Sequence, residues 1–257
     1  MPSKPSLVFV PSAWHAANTW DGVTSLLTEQ GYNCTSVTLP STLGDPSATF
    51  LQDLTAVRDA ITAQTKEGRD VVVVVHSYSG SVGASAIKGL TKTKDATEPS
   101  SEGHVVGMAM IAAEFAVPGK SFIDSFGEKA PPTWKEDGES GFVTIAVDAR
   151  DLLYHDLPAV EGKMWASELQ RQSLKALKEG GEHVYAGWAD VPNWFLLTLD
   201  DHAHPAEAQR TMAHSAKEAG GDVTIREIHS GHSPMLSRPK DVVDFLLEAV
   251  AAFSKYE

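Results

Sequence analysis

A single alcohol side chain stands where a buried strand is expected to stop. Ser77 comes two residues after five consecutive valines at positions 71–75. This run has no polar alternation, which is typical of a strand covered on both faces of a parallel sheet. The residues after Ser77 are small, so a helix can begin at once, pack closely on the strand and leave the serine oxygen clear of the backbone. The segment predicts a nucleophilic serine at a strand-turn-helix elbow.

This elbow departs from the usual sequence Gly-x-Ser-x-Gly. Val75 and Ser79 take the two glycine positions, and the nearest glycine is Gly80, one residue late. From this segment alone, an ordinary strand-turn-helix in which Ser77 caps the helix stays open as the alternative. The partners that a nucleophile needs must therefore be found elsewhere in the chain.

A serine hydroxyl reacts near neutral pH when a histidine takes its proton and a carboxylate holds that histidine in the correct tautomer. In a fold with this elbow the chain order is serine, acid, histidine, each in a loop after a strand. Two downstream loops qualify, residues 200–205 and residues 229–234. The chain between them is long enough for one helix and one strand, so the spacing fits a catalytic triad.

Within these loops His232 is the predicted base, because the tight Ser-Gly turn before it can bring the ring back over the end of the sheet. His229 is the second choice. Asp200 and Asp201 both remain candidates for the acid on physical grounds, since a shift of one residue at a strand end reverses the side-chain direction; we favour Asp201. His76 should point to the other face of its strand and pack or hydrogen-bond there.

The oxyanion formed at an attacked carbonyl needs backbone N–H donors. The amide of Tyr78, at the start of the elbow helix, is one predicted donor. A second should come from the loop after the first strand, where Ala13 is the candidate because small residues let the backbone approach a substrate. Ser12 and Trp14 in this loop are candidate substrate contacts, and packing within the loop is the alternative for Trp14.

The hydrophobic pattern places these loops in an α/β fold. Short apolar strands alternate with amphipathic helices, which predicts an open, mostly parallel sheet with helices on both faces and ligands at the carboxyl ends of the strands. One domain spanning residues 1–257 is expected, with a polar surface loop at residues 89–104. The expected strands are residues 7–10, 33–39, 71–75, 105–112, 194–199 and 223–228, and the main expected helices are residues 49–67, 205–219 and 239–253.

Residues 115–189 interrupt the alternation with several prolines and tryptophans. We expect this segment to be an inserted lid over the site. Its Trp134, Tyr154 and Trp165 are candidate substrate contacts, and they suggest a small, largely apolar substrate.

Charge and composition exclude some partners. With 34 acidic against 21 basic residues the net charge is −13, which repels a phosphate backbone, so no nucleic acid partner is expected. No apolar stretch approaches the roughly 20 residues that cross a bilayer, and no signal-peptide pattern precedes the first strand. The single cysteine, Cys34, can form no internal disulfide. These features predict a cytoplasmic protein without a membrane partner, and a homodimer stays open.

Neither a metal nor an organic cofactor is expected. Asp200, Asp201, His202 and His204 are clustered, but consecutive residues rarely converge on one ion, and the metallo-lactonase pattern His-x-His-x-Asp-His is absent. No Gly-x-Gly-x-x-Gly follows the first strand, so dinucleotide binding has no support.

Taken together, these segments resemble the α/β-hydrolase superfamily along nearly the whole chain. The resemblance is to its short members, such as plant methyl esterases, hydroxynitrile lyases and uncharacterised fungal and bacterial hydrolases. Residues 11–15 with Trp20 are similar to a His-Gly-Ala-x-His loop followed by a tryptophan. Residues 153–158 are similar to the lids of the uncharacterised members.

The same resemblance bears on the triad. Residues 201–205, followed by Gln209-Arg210, are similar to the family's acid loop and place Asp201 at the position of the acid. Residues 231–234 are similar to the family's histidine loop.

Departures from the family pattern concern the substrate more than the mechanism. Pro11-Ser12 replaces His-Gly, and His204 replaces an aliphatic residue. Ser12 stands where hydroxynitrile lyases carry a threonine that contacts substrate. Those lyases also carry a lysine beside the catalytic histidine, where this chain has Ser233, so cyanohydrin cleavage is disfavoured.

The predicted function is hydrolysis of a carboxylic ester or lactone through an acyl-enzyme, with Ser77 as nucleophile, His232 as base and Asp201 as its orienting acid. Two alternatives stay open. One is a carbon–carbon bond hydrolase or lyase that uses the same triad, and the other is a ligand receptor of the same fold with little turnover.

Overall fold

The chain folds around a parallel sheet, and this computed structural model describes residues 4–92, 101–127 and 129–254. In the described ranges the strands are, in chain order, β1 (Ser6–Val10), β2 (Cys34–Ser36), β3 (Val71–His76), β4 (Val105–Ile111), β5 (Trp134–Asp137), β6 (Phe142–Ile145), β7 (Gln172–Ser173), β8 (Asn193–Thr198) and β9 (Val223–Ile228).

Six of these strands form the central sheet, in the order β2-β1-β3-β4-β8-β9, and every neighbouring pair is parallel. The valine strand β3 has neighbours on both sides, and all six of its residues are buried. Strand order reverses between β1 and β3, so the loops that follow these two strands diverge at a topological switch point. In open α/β sheets such a crevice is where ligands bind.

Helices cover both faces of the sheet. The described α-helices are α1 (Asp21–Glu29), α2 (Phe50–Thr65), α3 (Ser79–Ala86), α4 (Ala149–Tyr154), α5 (Ala159–Ser167), α6 (Leu174–Lys178), α7 (Ala206–Glu218), α8 (Pro234–Ser237) and α9 (Pro239–Phe253). Helices α1 and α9 pack with Leu7 and Phe9 on one face, whereas α2, α3 and α7 pack with Val8 and Val10 on the other. The predicted α/β fold class, a parallel sheet wound on both faces, is confirmed.

Two local signals decide where α2 lies within the predicted range 49–67. The Thr49 side chain accepts a hydrogen bond from the backbone N–H of Gln52, and the Gln52 side chain accepts one from the N–H of Thr49, which together form a capping box. Thr49 is therefore the cap, and the helix begins at Phe50. At the other end Gly68 takes a left-handed conformation, with a φ of +75°, and stops the helix.

The segment between β4 and β8 carries the predicted lid. Strands β5, β6 and β7 form a small antiparallel sheet, and α4, α5 and α6 accompany it. Val143 of β6 and Leu177 of α6 belong to the same apolar cluster as Val73 and Val75 of β3. The predicted lid is thus continuous with the main core on one side of the sheet.

Two sequence-based boundaries differ from the structure. The strand expected at 33–39 is only three residues long, because the chain turns into a 3₁₀ helix, Pro40–Thr42, soon after it. Half of the loop expected at 89–104, residues 93–100, lies outside the described residues, and Thr91 forms an isolated bridge with Val105.

Across the described ranges, no helix combines the length and the hydrophobicity that crossing a bilayer requires.

Candidate active site

Ser77 occupies a sharp turn directly after β3. Its backbone φ is +55°, in the left-handed region that residues with a side chain rarely adopt. The turn is held by hydrogen bonds to the next strand, since the Ser77 amide donates to the Ile111 carbonyl at 3.2 Å and the Ser77 carbonyl accepts from the Glu114 amide at 3.2 Å. Helix α3 begins two residues later, at Ser79. Strained backbone of this kind is concentrated at functional sites.

The missing elbow glycines are compensated by other contacts. Where a glycine usually precedes the serine, Val75 packs instead against Gly83 of α3, and a Cβ atom on Gly83 would come within 2.5 Å of Val75 Cγ1. Ser79, in the second glycine position, is fully buried. Its hydroxyl donates to the Val10 carbonyl at 2.9 Å and accepts from the His76 amide at 2.8 Å.

At Gly80, the glycine that comes one residue late, the close packing leaves no room for a side chain. A Cβ atom at this position would lie 2.1 Å from the carbonyl oxygen of Glu114, which is far too short for a non-bonded contact between a carbon and an oxygen. The close approach lets α3 lie directly against the segment that follows β4.

His232 and Asp201 are paired at the same end of the sheet. Nδ1 of His232 donates a hydrogen bond to Oδ2 of Asp201 at 2.8 Å, and both side chains are buried. This bond leaves Nε2 of the ring as the atom that can accept a proton, which is the tautomer that a general base requires.

The Asp201 carboxylate is held by several further donors. Burial alone would raise the pKa of Asp201, but the charge interaction with His232 and the hydrogen bonds to the carboxylate outweigh it and lower the pKa. The acid therefore stays ionised beside the imidazole. The donors besides His232 are the Thr198 hydroxyl at 2.7 Å, the amides of Ala203 and His204 at 2.8 Å each, and the Gln209 side chain at 3.2 Å.

Asp200 and His229, the alternatives in the two loops, form a different pair. Nδ1 of His229 lies 3.4 Å from Oδ2 of Asp200, and the side chains are 83% and 55% exposed. Of the two candidate acids, the structure brings Asp201 to His232.

Ser77 and His232 line one cavity. In the described part of the chain no direct hydrogen bond joins their side chains. In many enzymes without substrate the bond between nucleophile and base is long and tightens only in the complex. The arrangement is thus a buried histidine–carboxylate pair and a serine on a strained turn, facing a common space.

His76 lies behind this pair. Its Nε2 atom donates to the backbone carbonyl of His232 at 2.8 Å, and the two rings lie 4.7 Å apart. Burial, together with the nearby His232 and His15, lowers the pKa of His76 well below its ordinary value. A neutral His76 fastens the backbone of the histidine loop, in agreement with the predicted local hydrogen-bonding role.

The two predicted oxyanion donors lie in the loops that follow β1 and β3. Tyr78 immediately follows Ser77, and Ala13 lies in the loop after β1, whose residues Ser12 and Trp14 line the cavity. Among the described contacts, the backbone N–H groups of Ala13 and Tyr78 donate no hydrogen bond within the protein. Both amides thus remain free to donate to a ligand.

The cavity has a volume of about 490 Å³ and mixes aromatic and aliphatic walls with a few polar groups. Of the predicted substrate contacts, Ser12, Trp14 and Trp134 line it. Other described residues that line it are His15, Ala112, Glu114, Phe122, Ser125, Phe126, Pro131, Leu152, Leu153, Ala203, His204, Pro205, Ala208, Thr211 and Met212.

Tyr154 and Trp165, the other two predicted contacts, lie elsewhere. They border a second, much smaller depression of about 20 Å³ beside the main cavity. The Tyr154 hydroxyl donates to Nε2 of His15 at 2.7 Å, and Nδ1 of His15 donates to the Ala13 carbonyl at 2.7 Å. Burial lowers the pKa of His15 to about 4, so the ring is neutral and can accept from the tyrosine. Tyr154 therefore supports the loop that carries Ala13.

The segment that contains Tyr154 contacts all three loops of the site. Besides the bond from Tyr154 to the first loop, Oδ2 of Asp156 accepts from the Gly231 amide at 2.9 Å in the histidine loop. The ring of His155 stacks on His202 of the acid loop, with centroids 3.9 Å apart. Apart from Tyr154 as a candidate substrate contact, the sequence assigned residues 153–158 no role, and their resemblance to other lids was the available signal.

Two buried acids were also missed. Oδ2 of Asp53 accepts hydrogen bonds from the hydroxyls of Ser41 at 2.6 Å and Tyr78 at 2.9 Å; burial, opposed by these bonds, raises the pKa of Asp53 to about 6. Glu114 follows β4 and lines the cavity. The helical spacing places Asp53 on the apolar face of α2, three residues after Phe50 and four before Val57. Nothing in the local sequence marks Glu114 as buried, because its partners come from distant segments.

The acidic and histidine-rich cluster at 200–204 does not converge. His202 stacks on His155, whereas His204 lines the cavity. Within the described ranges, no group of three or more histidine, cysteine, aspartate or glutamate side chains is arranged to hold a metal ion.

Comparison with known proteins agrees with this architecture. Residues 7–245 match the family described as "Alpha/beta hydrolase family". The alpha/beta hydrolase nvfD of Aspergillus novofumigatus is 33% identical over 250 residues, which cover 96% of each chain.

Solved structures show the same fold at lower identity. Tomato methylketone synthase I, crystallised with 2-tridecanone, superposes with a TM-score of 0.76 at 17% identity, covering 98% of this chain and 99% of the other. A pyrethroid hydrolase from Sphingobium faniae superposes with a TM-score of 0.73 at 19% identity, covering 99% of this chain and 100% of the other.

Proposed function

The chain belongs to the alpha/beta hydrolase family, and we propose that it is a serine hydrolase that cleaves a small, largely apolar carboxylic ester or lactone. The observation that carries the proposal is the buried bond from His232 to Asp201 at 2.8 Å, on the wall of the cavity that Ser77 enters from a strained turn. A base that is oriented by a buried acid and faces the same cavity as a serine hydroxyl is the arrangement that acyl transfer needs.

In the proposed reaction, Ser77 Oγ attacks the ester carbonyl while Nε2 of His232 takes its proton. The charge that develops on the carbonyl oxygen is stabilised by the amides of Ala13 and Tyr78. Collapse of this intermediate breaks the ester bond, and the protonated His232 gives its proton to the leaving alcohol. A water molecule, activated by the same histidine, then hydrolyses the acyl-enzyme and regenerates Ser77.

The substrate class is inferred from the walls of the cavity. Trp14, Phe122, Trp134 and Leu153 contribute apolar surface, and the volume of about 490 Å³ suits a small molecule. Some structural neighbours carry ester-cleaving names, such as the pyrethroid hydrolase and a polyneuridine aldehyde esterase. These names support hydrolysis in general and do not identify the substrate of this chain.

The test is turnover of a panel of short p-nitrophenyl esters and lactones by the wild-type protein and by Ser77→Ala. We expect ester or lactone hydrolysis that falls by at least about a thousandfold in the variant. Circular dichroism spectra of both proteins check that folding is retained. Activity that survives the substitution would remove the mechanism. A β-diketone in the same panel separates ester hydrolysis from carbon–carbon cleavage, and the absence of any turnover would favour a receptor.

A further inference from the structure

Glu114 is a buried acid on the cavity wall to which the proposed hydrolysis assigns no role. Its side chain follows β4, and the residue is 6% exposed. It is the one carboxylic acid among the described residues that line the cavity. The Glu114 amide also donates to the Ser77 carbonyl at 3.2 Å, so this acid lies one hydrogen bond along the backbone from the proposed nucleophile.

The partners of this carboxyl group are neutral. Oε2 accepts from the Ser81 hydroxyl of α3 at 2.9 Å, and Oε1 accepts from the hydroxyl of Ser125 in the predicted lid. In the described part of the chain, no lysine, arginine or histidine forms an ion pair with it. Burial, opposed by the two serine bonds, raises the pKa of Glu114 to about 7.

A buried carboxylate without a cation is costly, and a positively charged ligand group would offset that cost. Two hydroxyl donors occupy only part of the acceptor capacity of a carboxylate. Above its pKa of about 7, the group therefore offers both a negative charge and free lone pairs to a cation in the cavity.

Aromatic rings line the same cavity as this acid, and one of them, Phe126, directly follows its partner Ser125 in the chain. Phe122 and Trp134 are stacked with centroids 5.9 Å apart, and Phe126 meets both edge-on at 5.2 and 5.6 Å. All three line the cavity. Phe126 is 41% exposed, so it is accessible from solvent. The faces of such rings attract ammonium groups, above all alkylated ones that are weakly hydrated.

We propose that Glu114, together with Phe122, Phe126 and Trp134, forms a subsite for an alkylated ammonium group. The substrate class is then narrowed to esters that carry a basic or quaternary amine. This step rests on the proposed function. The net charge of −13 adds a field that draws cations towards the protein.

The probes are benzoylcholine and its neutral isostere, 3,3-dimethylbutyl benzoate, which differ only in a nitrogen cation replaced by carbon. Calorimetry gives the Kd of each ligand for Ser77→Ala, in which the proposed hydrolysis is blocked. At a pH of about 8, where most of the Glu114 population is ionised, we expect the cation to bind about tenfold more tightly than the isostere. Equal affinity, or preference for the neutral ester, would overturn the subsite.

Two further substitutions, each made in the Ser77→Ala protein, test which carboxylate causes the preference for the cationic ester. Glu114→Gln should abolish it, whereas Glu218→Gln, which removes the same charge from the exposed end of α7, should retain it. Loss of preference in both proteins would assign the effect to net charge and contradict the subsite. If Glu114→Gln does not fold, Phe126→Leu at the accessible edge should reduce the preference about threefold, and an unchanged preference would contradict the aromatic contribution.

Turnover by the wild-type protein separates this inference from the proposed function. Binding preference without hydrolysis of either probe, or of any ester or lactone in the panel, supports the subsite and contradicts the hydrolase. Hydrolysis of both esters with equal kcat/KM, together with equal Kd values, supports the hydrolase and contradicts the subsite.

Discussion

Of two neighbouring acids, Asp200 and Asp201, only the second has a side chain directed at His232, and this direction decides which of them can orient the proposed base. Asp201 is buried and accepts from His232, whereas Asp200 is half exposed and lies near His229. Because the family resemblance already pointed to Asp201, this part of the site could be predicted from the sequence. The physical argument alone could not have chosen, since one residue more or less at the end of β8 reverses the direction of both side chains.

Asp201→Asn and Asp200→Asn form a matched pair for the proposed triad. The first should lower kcat for a p-nitrophenyl ester by roughly a thousandfold to ten-thousandfold, because an amide at this position no longer holds His232 in the required tautomer. The second should change kcat by less than about threefold. Initial-rate kinetics measure both, and equal losses in the two variants would contradict the assignment of the acid.

Asp53 couples stability to pH. Burial raises the pKa of Asp53 from 3.8 to about 6, so the folded state binds this proton more tightly than the unfolded state. The resulting stabilisation is fully present below a pH of about 4 and is lost as the pH rises through about 6.

Asn at position 53 has no such titration. The free energy of unfolding of the wild type, relative to that of Asp53→Asn, should therefore fall by on the order of 3 kcal/mol between a pH of about 4 and about 8. Urea denaturation at a series of pH values measures this difference. Two stability curves that run parallel over the range would show that burial does not perturb this carboxyl group.

Glu114 shows which residues of the site the sequence does not reveal. It follows a strand end as Ser77 and Asp201 do, but its partners, Ser81 and Ser125, come from α3 and from the predicted lid. Hydroxyl side chains in separate segments form no sequence pattern. Only the packing of these segments brings them to one carboxyl group.

Among the elements, the segment 154–156, which begins at the last residue of α4, connects three loops of the site and is here called the brace. It reaches the first loop through Tyr154, the acid loop through His155 and the histidine loop through Asp156. The arrangement explains why a lid segment without catalytic chemistry matters for the geometry of the site. Its sequence could not indicate these contacts, since each one is made to a residue far away in the chain.

Asp156→Ala tests this brace. Loss of the carboxylate leaves the Gly231 amide without its partner and loosens the histidine loop, so kcat should fall about tenfold while KM changes little. Asp244→Ala, at an exposed position of α9, is the control and should stay near the wild-type value. A rise in KM with unchanged kcat in Asp156→Ala would show that the carboxylate acts on substrate binding instead.

The elbow is the element that the sequence predicted best. Five buried valines and a following run of small residues suffice to predict β3, the turn and α3. The absence of both usual glycines is explained only by the three-dimensional packing. The lack of a side chain at Gly83 leaves room for Val75, and the lack of one at Gly80 leaves room for the Glu114 backbone. Close approaches between elements decide these positions, and a sequence does not display them.

At the scale of the whole molecule, one apolar cluster joins the sheet and the predicted lid. Val143, Leu177 and Trp188 from the lid segment belong to the cluster that contains β3 residues. The fold class was predictable from the alternation of strands and helices, whereas this continuity depends on packing. A lid that shares the main core cannot unfold separately without exposing that core to water.

Thermal unfolding should therefore be a single transition. The near-ultraviolet circular dichroism signal, to which the lid tryptophans contribute, and the far-ultraviolet signal of the whole chain should share one midpoint within about 2 °C. A near-ultraviolet midpoint well below the far-ultraviolet one would indicate an independently unfolding lid and contradict the prediction of one domain.

The position of the acyl group during turnover shows directly whether Ser77 is the nucleophile. The wild-type protein is mixed with a p-nitrophenyl ester that it hydrolyses, quenched in acid within the first turnovers, digested and analysed by mass spectrometry. We expect an acyl group on the peptide that contains Ser77, localised to that residue by fragmentation. Continued turnover with Ser77 unmodified, or with the acyl group on another residue, would contradict this expectation.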